Sequence, residues 1–181
     1  MDDGGPTPIR TPRLRLVAAT AGLARADADE SERLAEILGA RVPETWPPPL
    51  LDDARGRFAE MMEANPELAG WYLWYWIRVD PEGGDALIGA GGFKGRPTPD
   101  GTVEVGYSLV ESAWHQGYAT EAVAALIDRA FEHPSILRVV AETYPDLAPS
   151  IRVLTRLGFR FLGTGSEDGT VRYVLVRSDE R

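Results

Sequence analysis

Val103, Val105, Tyr107 and Leu109 alternate with Glu104, Gly106 and Ser108, the two-residue period of a strand with one apolar and one polar face. Further on, Ala122, Val123, Leu126, Ile127, Ala130 and Phe131 fall on one stripe of a helix that Pro134 must stop. Between the two lies a short Gly-containing connection, WHQGYAT. Gly70 to Val79, GWYLWYWIRV, is so dense in aromatic and β-branched residues that it reads as a central strand buried on both faces. The turn PEGGD joins it to ALIGAGGF, and PTPDG joins that run to the strand bearing Glu104, predicting a meander of three antiparallel strands.

The flanking segments follow the same rules. Residues 1–12 are rich in Gly, Pro, Asp and Thr and read as a loose tail before a strand from Arg13 to Ala18, with Leu14 and Leu16 facing inward. Asp29 and Glu32 imitate a capping box, Leu34, Ile37 and Leu38 form a stripe and Gly39 is a stop, predicting a helix over 29–39. After the proline-stiffened VPETWPPPL, the positions Ala54, Phe58, Met61 and Met62 predict a second helix, ended by Asn65 and Pro66. Leu137 to Thr143 reads as a strand, and Ser150 to Leu157 as a short helix with Ser150 as N-cap and Gly158 as stop. Arg160 to Thr164 and Thr170 to Arg177 read as a closing hairpin. A crossover helix between two strands implies a parallel pair, Thr102 to Val110 beside Leu137 to Thr143.

Length and charge narrow the function. A chain of 181 residues with 44% apolar and 26% charged residues fits one globular domain, 1–181, and no linker is long enough to divide it. No apolar run approaches a membrane span and the N-terminus lacks a signal-peptide pattern, so the expectation is a cytoplasmic protein with no membrane partner. With no Cys and only His115 and His133, a thiolate nucleophile is excluded and no metal site is expected. The net charge of −9 divides as −3, −5 and −1 over residues 1–60, 61–120 and 121–181, so nucleic acid is not an expected partner. An acidic field of this kind favours cationic substrates, and a polyanionic ligand must be held by locally aimed donors.

The connection at 114–120 has such donors. A helix start leaves backbone N–H groups without intrahelical acceptors and carries partial positive charge, so Gly117 there lets a phosphate approach the main chain. No Walker pattern and no G-x-G-x-x-G is present. The run WHQGYATEA, with EVGYSL before it and PSIRVLTRLGF after it, resembles the GNAT superfamily of acyl-CoA-dependent N-acyltransferases, and with the TPRLRL opening it is most similar to the Rim-type, ribosomal-protein N-terminal acetyltransferase branch. The resemblance implies an α/β fold whose mixed, mostly antiparallel seven-stranded sheet is flanked by helices. A splayed parallel strand pair would then admit the pantetheine arm. It further implies acetyl-CoA as co-substrate, without a metal, bound by Trp114, His115, Gln116, Gly117, Tyr118, Ala119 and Thr120, with the backbone of Leu109 and Val110 pairing with pantetheine and polarising the thioester carbonyl. Trp114 stands where the family's signature has Gln or Arg, while Gly117 and Ala119 match its two small positions.

Attack of an amine on a thioester needs a neutral amine, donors for the developing oxyanion and a proton for the departing thiolate. By resemblance Glu104 is the base, against the competing role of a strand ion pair, with Glu142 next in line. The Tyr that many members use as acid is Leu154 here, and the branch's Ser matches Ser150, which as a bare feature is an N-cap. The branch's Asn is replaced by Leu147. Trp46, Trp71, Trp74 and Trp76 belong either to the core or to an acceptor pocket. The expected activity is acetyl transfer from acetyl-CoA to a primary amine, on a small molecule or a peptide N-terminus, by direct attack in a ternary complex. The rival is a non-catalytic acyl-CoA-binding module, and a homodimer is left open.

Overall fold

The computed structural model describes residues 5–49 and 51–178, so the first four residues of the expected tail lie outside the described residues. In chain order the elements are β1 (Ile9–Arg10), β2 (Leu14–Ala18), α1 (Ala21–Asp29), α2 (Ser31–Leu38), α3 (Arg55–Ala64), β3 (Trp74–Arg78), β4 (Ala86–Lys94), β5 (Thr102–Leu109), α4 (Tyr118–Phe131), β6 (Arg138–Thr143), α5 (Ala148–Arg156), β7 (Arg160–Thr164) and β8 (Val171–Val176). The sheet runs β1-β2-β3-β4-β5-β6-β8-β7. It is a mostly antiparallel α/β sheet with one parallel pair, β5 with β6. The strand beyond the expected seven is β1, where Ile9 and Arg10 pair with Leu16 and Arg15, so part of the expected tail is an edge strand.

The chain divides into two compact units, one from the N-terminus to Gly92 with Tyr107–Tyr118, the other Phe93–Gly106 with the residues from Ala119 on. In the first, β3 is buried from Trp74 to Ile77, as its composition requires, but it starts later than expected because the Trp71 and Tyr72 amides turn back onto the Leu68 carbonyl. Helix α1 is an element the periodicity missed. Its inward residues are Leu23, Ala24, Ala26 and the buried Asp27, and a single large apolar side chain makes no apolar stripe. Small side chains let it sit close to α3, with Ala24, Ala59, Met62 and Leu68 in one core cluster. Thr20 caps α1 by accepting from the Leu23 amide at 3.3 Å, and the expected capping box of Asp29 and Glu32 does not form because Asp29 ends α1 and Glu30 opens α2. Gly39 stops α2 in the left-handed region at φ 56°, as expected.

In the second unit, β5 and β6 pair over only three residues each, Thr102–Glu104 against Arg138–Val140, and both strands run on past the pairing. The Arg177 guanidinium closes the C-terminal end of α4 by donating to the carbonyls of Phe131 and His133 at 2.7 Å and Ile136 at 2.8 Å. Helix α5 starts earlier than expected, with Leu147 at the N-cap and Pro149 in the first turn, where a missing N–H costs nothing. Ser150 is therefore the third helical residue and not its cap.

Candidate active site

Strand β5 ends at Leu109, one residue short of expectation, and delivers the chain into a turn of 3-10 helix, Glu111–Ala113. The Val110 amide donates to the Ile88 carbonyl at 2.9 Å. That single proton is spent inside the sheet, so this amide is a ladder hydrogen bond and does not serve a thioester. Amide directions alternate along a strand, which leaves the Leu109 amide aimed at the opposite edge. The Leu109 carbonyl accepts from the Trp114 indole at 2.9 Å, which ties the end of the strand to the start of the loop while the Trp114 side chain stays exposed.

Two left-handed residues then turn the chain into α4: His115 at φ 60° and Gly117 at φ 82°. A non-Gly residue in that region is strained, so His115 is held there by its surroundings. The Gln116 side-chain amide donates to the Ser112 carbonyl at 2.8 Å, and its backbone carbonyl accepts from Arg13 Nη1 at 2.9 Å. Tyr118, Ala119 and Thr120 form the first turn of α4, whose N–H groups have no intrahelical acceptor. A Cβ at Gly117 would sit on left-handed backbone and 3.4 Å from Arg13 Nη2, so a side chain there is strained and presses on Arg13. The arrangement fits a phosphate group. Arg13, absent from the expected site, is brought to it by the turn before β2; the TPRLRL opening carried the only signal for it.

Glu104 on β5 is mostly buried, with Lys94 Nζ 2.8 Å from Oε1 and Arg172 Nη2 3.9 Å from Oε2. Burial acts to lower the Lys94 pKa, but the hydrogen bond and charge of Glu104 outweigh it and hold the ammonium above its ordinary value. Glu142 on β6 is nearly inaccessible and accepts from the Ser166 amide at 2.8 Å, Thr170 Oγ1 at 3.1 Å and Arg172 Nε at 2.7 Å, with Arg172 Nη2 also in contact. Burial acts to raise its carboxyl, yet the Ser166 amide, the Arg172 guanidinium and the Thr170 hydroxyl pull it down to about 2. A carboxylate so saturated with donors is a poor base, which removes Glu142 as a successor to Glu104.

The other expected positions separate cleanly. Ser150 is half-buried, whereas Leu154 is fully buried and packs as core. Trp46, Trp74 and Trp76 are core residues. The Trp46 indole donates at 2.6 Å and the Tyr75 hydroxyl at 2.9 Å to the buried carboxylate of Asp27, and Arg55 stands 3.8 Å away. Burial raises the Asp27 carboxyl, against the pull of these donors. Among the described residues no His, Cys, Asp and Glu group has the makings of a metal site, and no helix is long and apolar enough to cross a membrane.

The acetyltransferase (GNAT) domain family matches residues 17–160. An uncharacterized N-acetyltransferase of Bacillus subtilis (strain 168), YjdG, is 28% identical over 151 residues, which span 83% of this chain and 88% of YjdG. The ribosomal L7/L12 α-N-protein acetyltransferase RimL, solved in complex with coenzyme A, superposes with a TM-score of 0.64 at 20% identity, covering 93% of this chain and 97% of RimL. The aminoglycoside acetyltransferase AAC(6′)-Ib, also solved with coenzyme A, superposes with a TM-score of 0.58 at 21% identity over 91% of this chain and 95% of its own.

Proposed function

We propose, from the premise that this chain belongs to the acetyltransferase (GNAT) family and is an acyl-CoA-dependent acetyltransferase, that it transfers acetyl from acetyl-CoA to a primary amine by direct attack in a ternary complex. The observation that carries this reading is the left-handed Gly117 opening the 14-residue helix α4 at the end of the loop that follows β5. Trp114, His115 and Gln116 shape the loop, and the amides of Tyr118, Ala119 and Thr120 receive the pyrophosphate. The Leu109 amide is the remaining candidate to polarise the thioester carbonyl. Glu104 takes the proton of the amine, directly or through water, and Ser150 returns one to the thiolate. The absence of Cys supports direct attack over an acyl-cysteine route. RimL and AAC(6′)-Ib are named for a protein N-terminus and an aminoglycoside, which supports an amine on a peptide or a small molecule as the acceptor class here.

Isothermal titration tests the carrier. Wild type should bind CoA, and folded Gly117→Val should lose most of that affinity, since a β-branched side chain cannot adopt this backbone and would crowd the phosphate. Undiminished binding in the variant would move the site elsewhere. A second reading, a binding module without turnover, is favoured by Leu147 and Leu154 at polar family positions and by the engaged Val110 amide. Release of CoA with polyamines, amino-sugar antibiotics and peptides of varied first residue separates the two: binding without release with any of them selects the module.

A further inference from the structure

We propose that Arg13 is a cofactor-binding residue, its guanidinium meeting the pyrophosphate of coenzyme A above Gly117; this rests on the reading of loop 114–120 as the CoA site. The backbone that presents Arg13 is fixed from several directions. The Thr11 amide donates to the Leu14 carbonyl at 2.9 Å, and Thr11 Oγ1 accepts from the Leu14 amide at 3.0 Å. Pro12 restricts the turn between them, and the Arg13 carbonyl accepts from the Val79 amide at 3.0 Å. The side chain then reaches a loop 103 residues away in sequence, where Nη1 donates to the Gln116 carbonyl and the guanidinium carbon lies 4.5 Å from the centre of the Tyr118 ring. One edge of the fork is thereby used to hold the loop and one face to stack on the first residue of α4. Nη2 is carried to within 3.4 Å of the Cβ position that Gly117 leaves vacant, at the residue that precedes the first turn of α4.

Charge gives this placement a purpose. Residues 61–120, which supply the loop, carry a net −5 in a chain of net −9. The open end of a helix offers only about half a positive charge. A guanidinium adds a full charge at all working pH values, and its planar N–H fork matches phosphate oxygens. The alternative is that Arg13 only ties the N-terminal turn to the loop, a role whose loss would weaken phosphate-bearing ligands without changing how their affinity depends on salt.

Titration calorimetry of wild type, Arg13→Met and Arg13→Lys with CoA, 3′-dephospho-CoA and pantetheine, at low and high salt, separates these roles. Arg13→Met should weaken CoA and 3′-dephospho-CoA alike, on the order of 10- to 100-fold, with a shallower salt dependence. Pantetheine, which lacks phosphate, should bind as it does to wild type, and Arg13→Lys should recover part of the loss. Unchanged affinities, an equal loss for pantetheine, a loss confined to CoA, or a loss with the salt dependence of wild type would each overturn the proposal. Should Arg13→Met fail to fold, Tyr118→Leu keeps the charge but removes its stacking surface, and the same phosphate-dependent loss, smaller in size, is expected. If wild type itself does not bind CoA, the reading of the loop fails; if Gly117→Val loses CoA and the Arg13 variants do not, only the role of Arg13 fails.

Discussion

Glu104 and Glu142 lie on one face of the sheet, because Glu104 pairs with Val140 and Glu142 is two residues further along the same strand. They divide the roles open to a carboxylate there. Glu142 is wrapped by Ser166, Thr170 and Arg172, whereas Glu104 has the half-exposed Lys94 as its nearest partner, a contact an incoming amine can replace. Glu104→Gln keeps the shape but cannot accept a proton. With an acceptor from the amine panel, kcat should fall by ~10²–10⁴ while CoA affinity holds. An unaltered kcat and pH profile would leave Glu104 with its ion pair as its only task. Strand alternation was enough to put Glu104 on the polar face. Its partners, at positions 94 and 172, come from two other strands, and nothing local to EVGYSL identifies them.

The hairpin of β7 and β8 is anchored to β6 through Glu142, since its turn carries Ser166 and Thr170 and its second strand carries Arg172. A carboxyl held near 2 when folded and near 4.3 when unfolded binds fewer protons in the native state, so it stabilises the fold above about pH 4.3. That contribution, about 2–3 kcal/mol, is lost as the pH falls through 4 toward 2. Denaturant unfolding of wild type and Glu142→Gln at pH 7 and near pH 2.5 should show a gap of that size at neutrality that shrinks markedly in acid. A constant gap would mean the donors matter through shape alone. Helix α4 was legible from the chain because its large apolar residues fall on one stripe, and the meander because its aromatic and β-branched runs are separated by Gly- and Pro-containing turns. Helix α1 was not, since Leu23 is the one large apolar residue on an inner face it shares with Ala24, Ala26 and Asp27, and a carboxylate turns inward only when Trp46 and Tyr75, 19 and 48 residues away, are there to donate to it.

Across the whole chain the charge of −9 bears on the acceptor. Residues 21–70 hold 11 acidic side chains against 5 Arg, though Asp27 is buried and Arg25, Arg33 and Arg55 already pair with Glu63, Glu36 and Asp52. The surplus that is left still favours cationic amines. For such an acceptor kcat/KM should drop about 2–10-fold from low to high salt, while a neutral peptide amine should change little. A preference for acidic amines would defeat this expectation and point to a local basic pocket. The amino-acid order alone determined the alternating strands, the crossover helix and the Gly loop that opens it, because each depends on neighbours within a few residues. Which groups surround those elements was set by folding. Arg13 above Gly117, Lys94 and Arg172 on Glu104, Ser166 and Thr170 on Glu142, and the Val110 amide closed onto Ile88 are all contacts between segments far apart in sequence. Their geometry exists only once the sheet has brought those segments together.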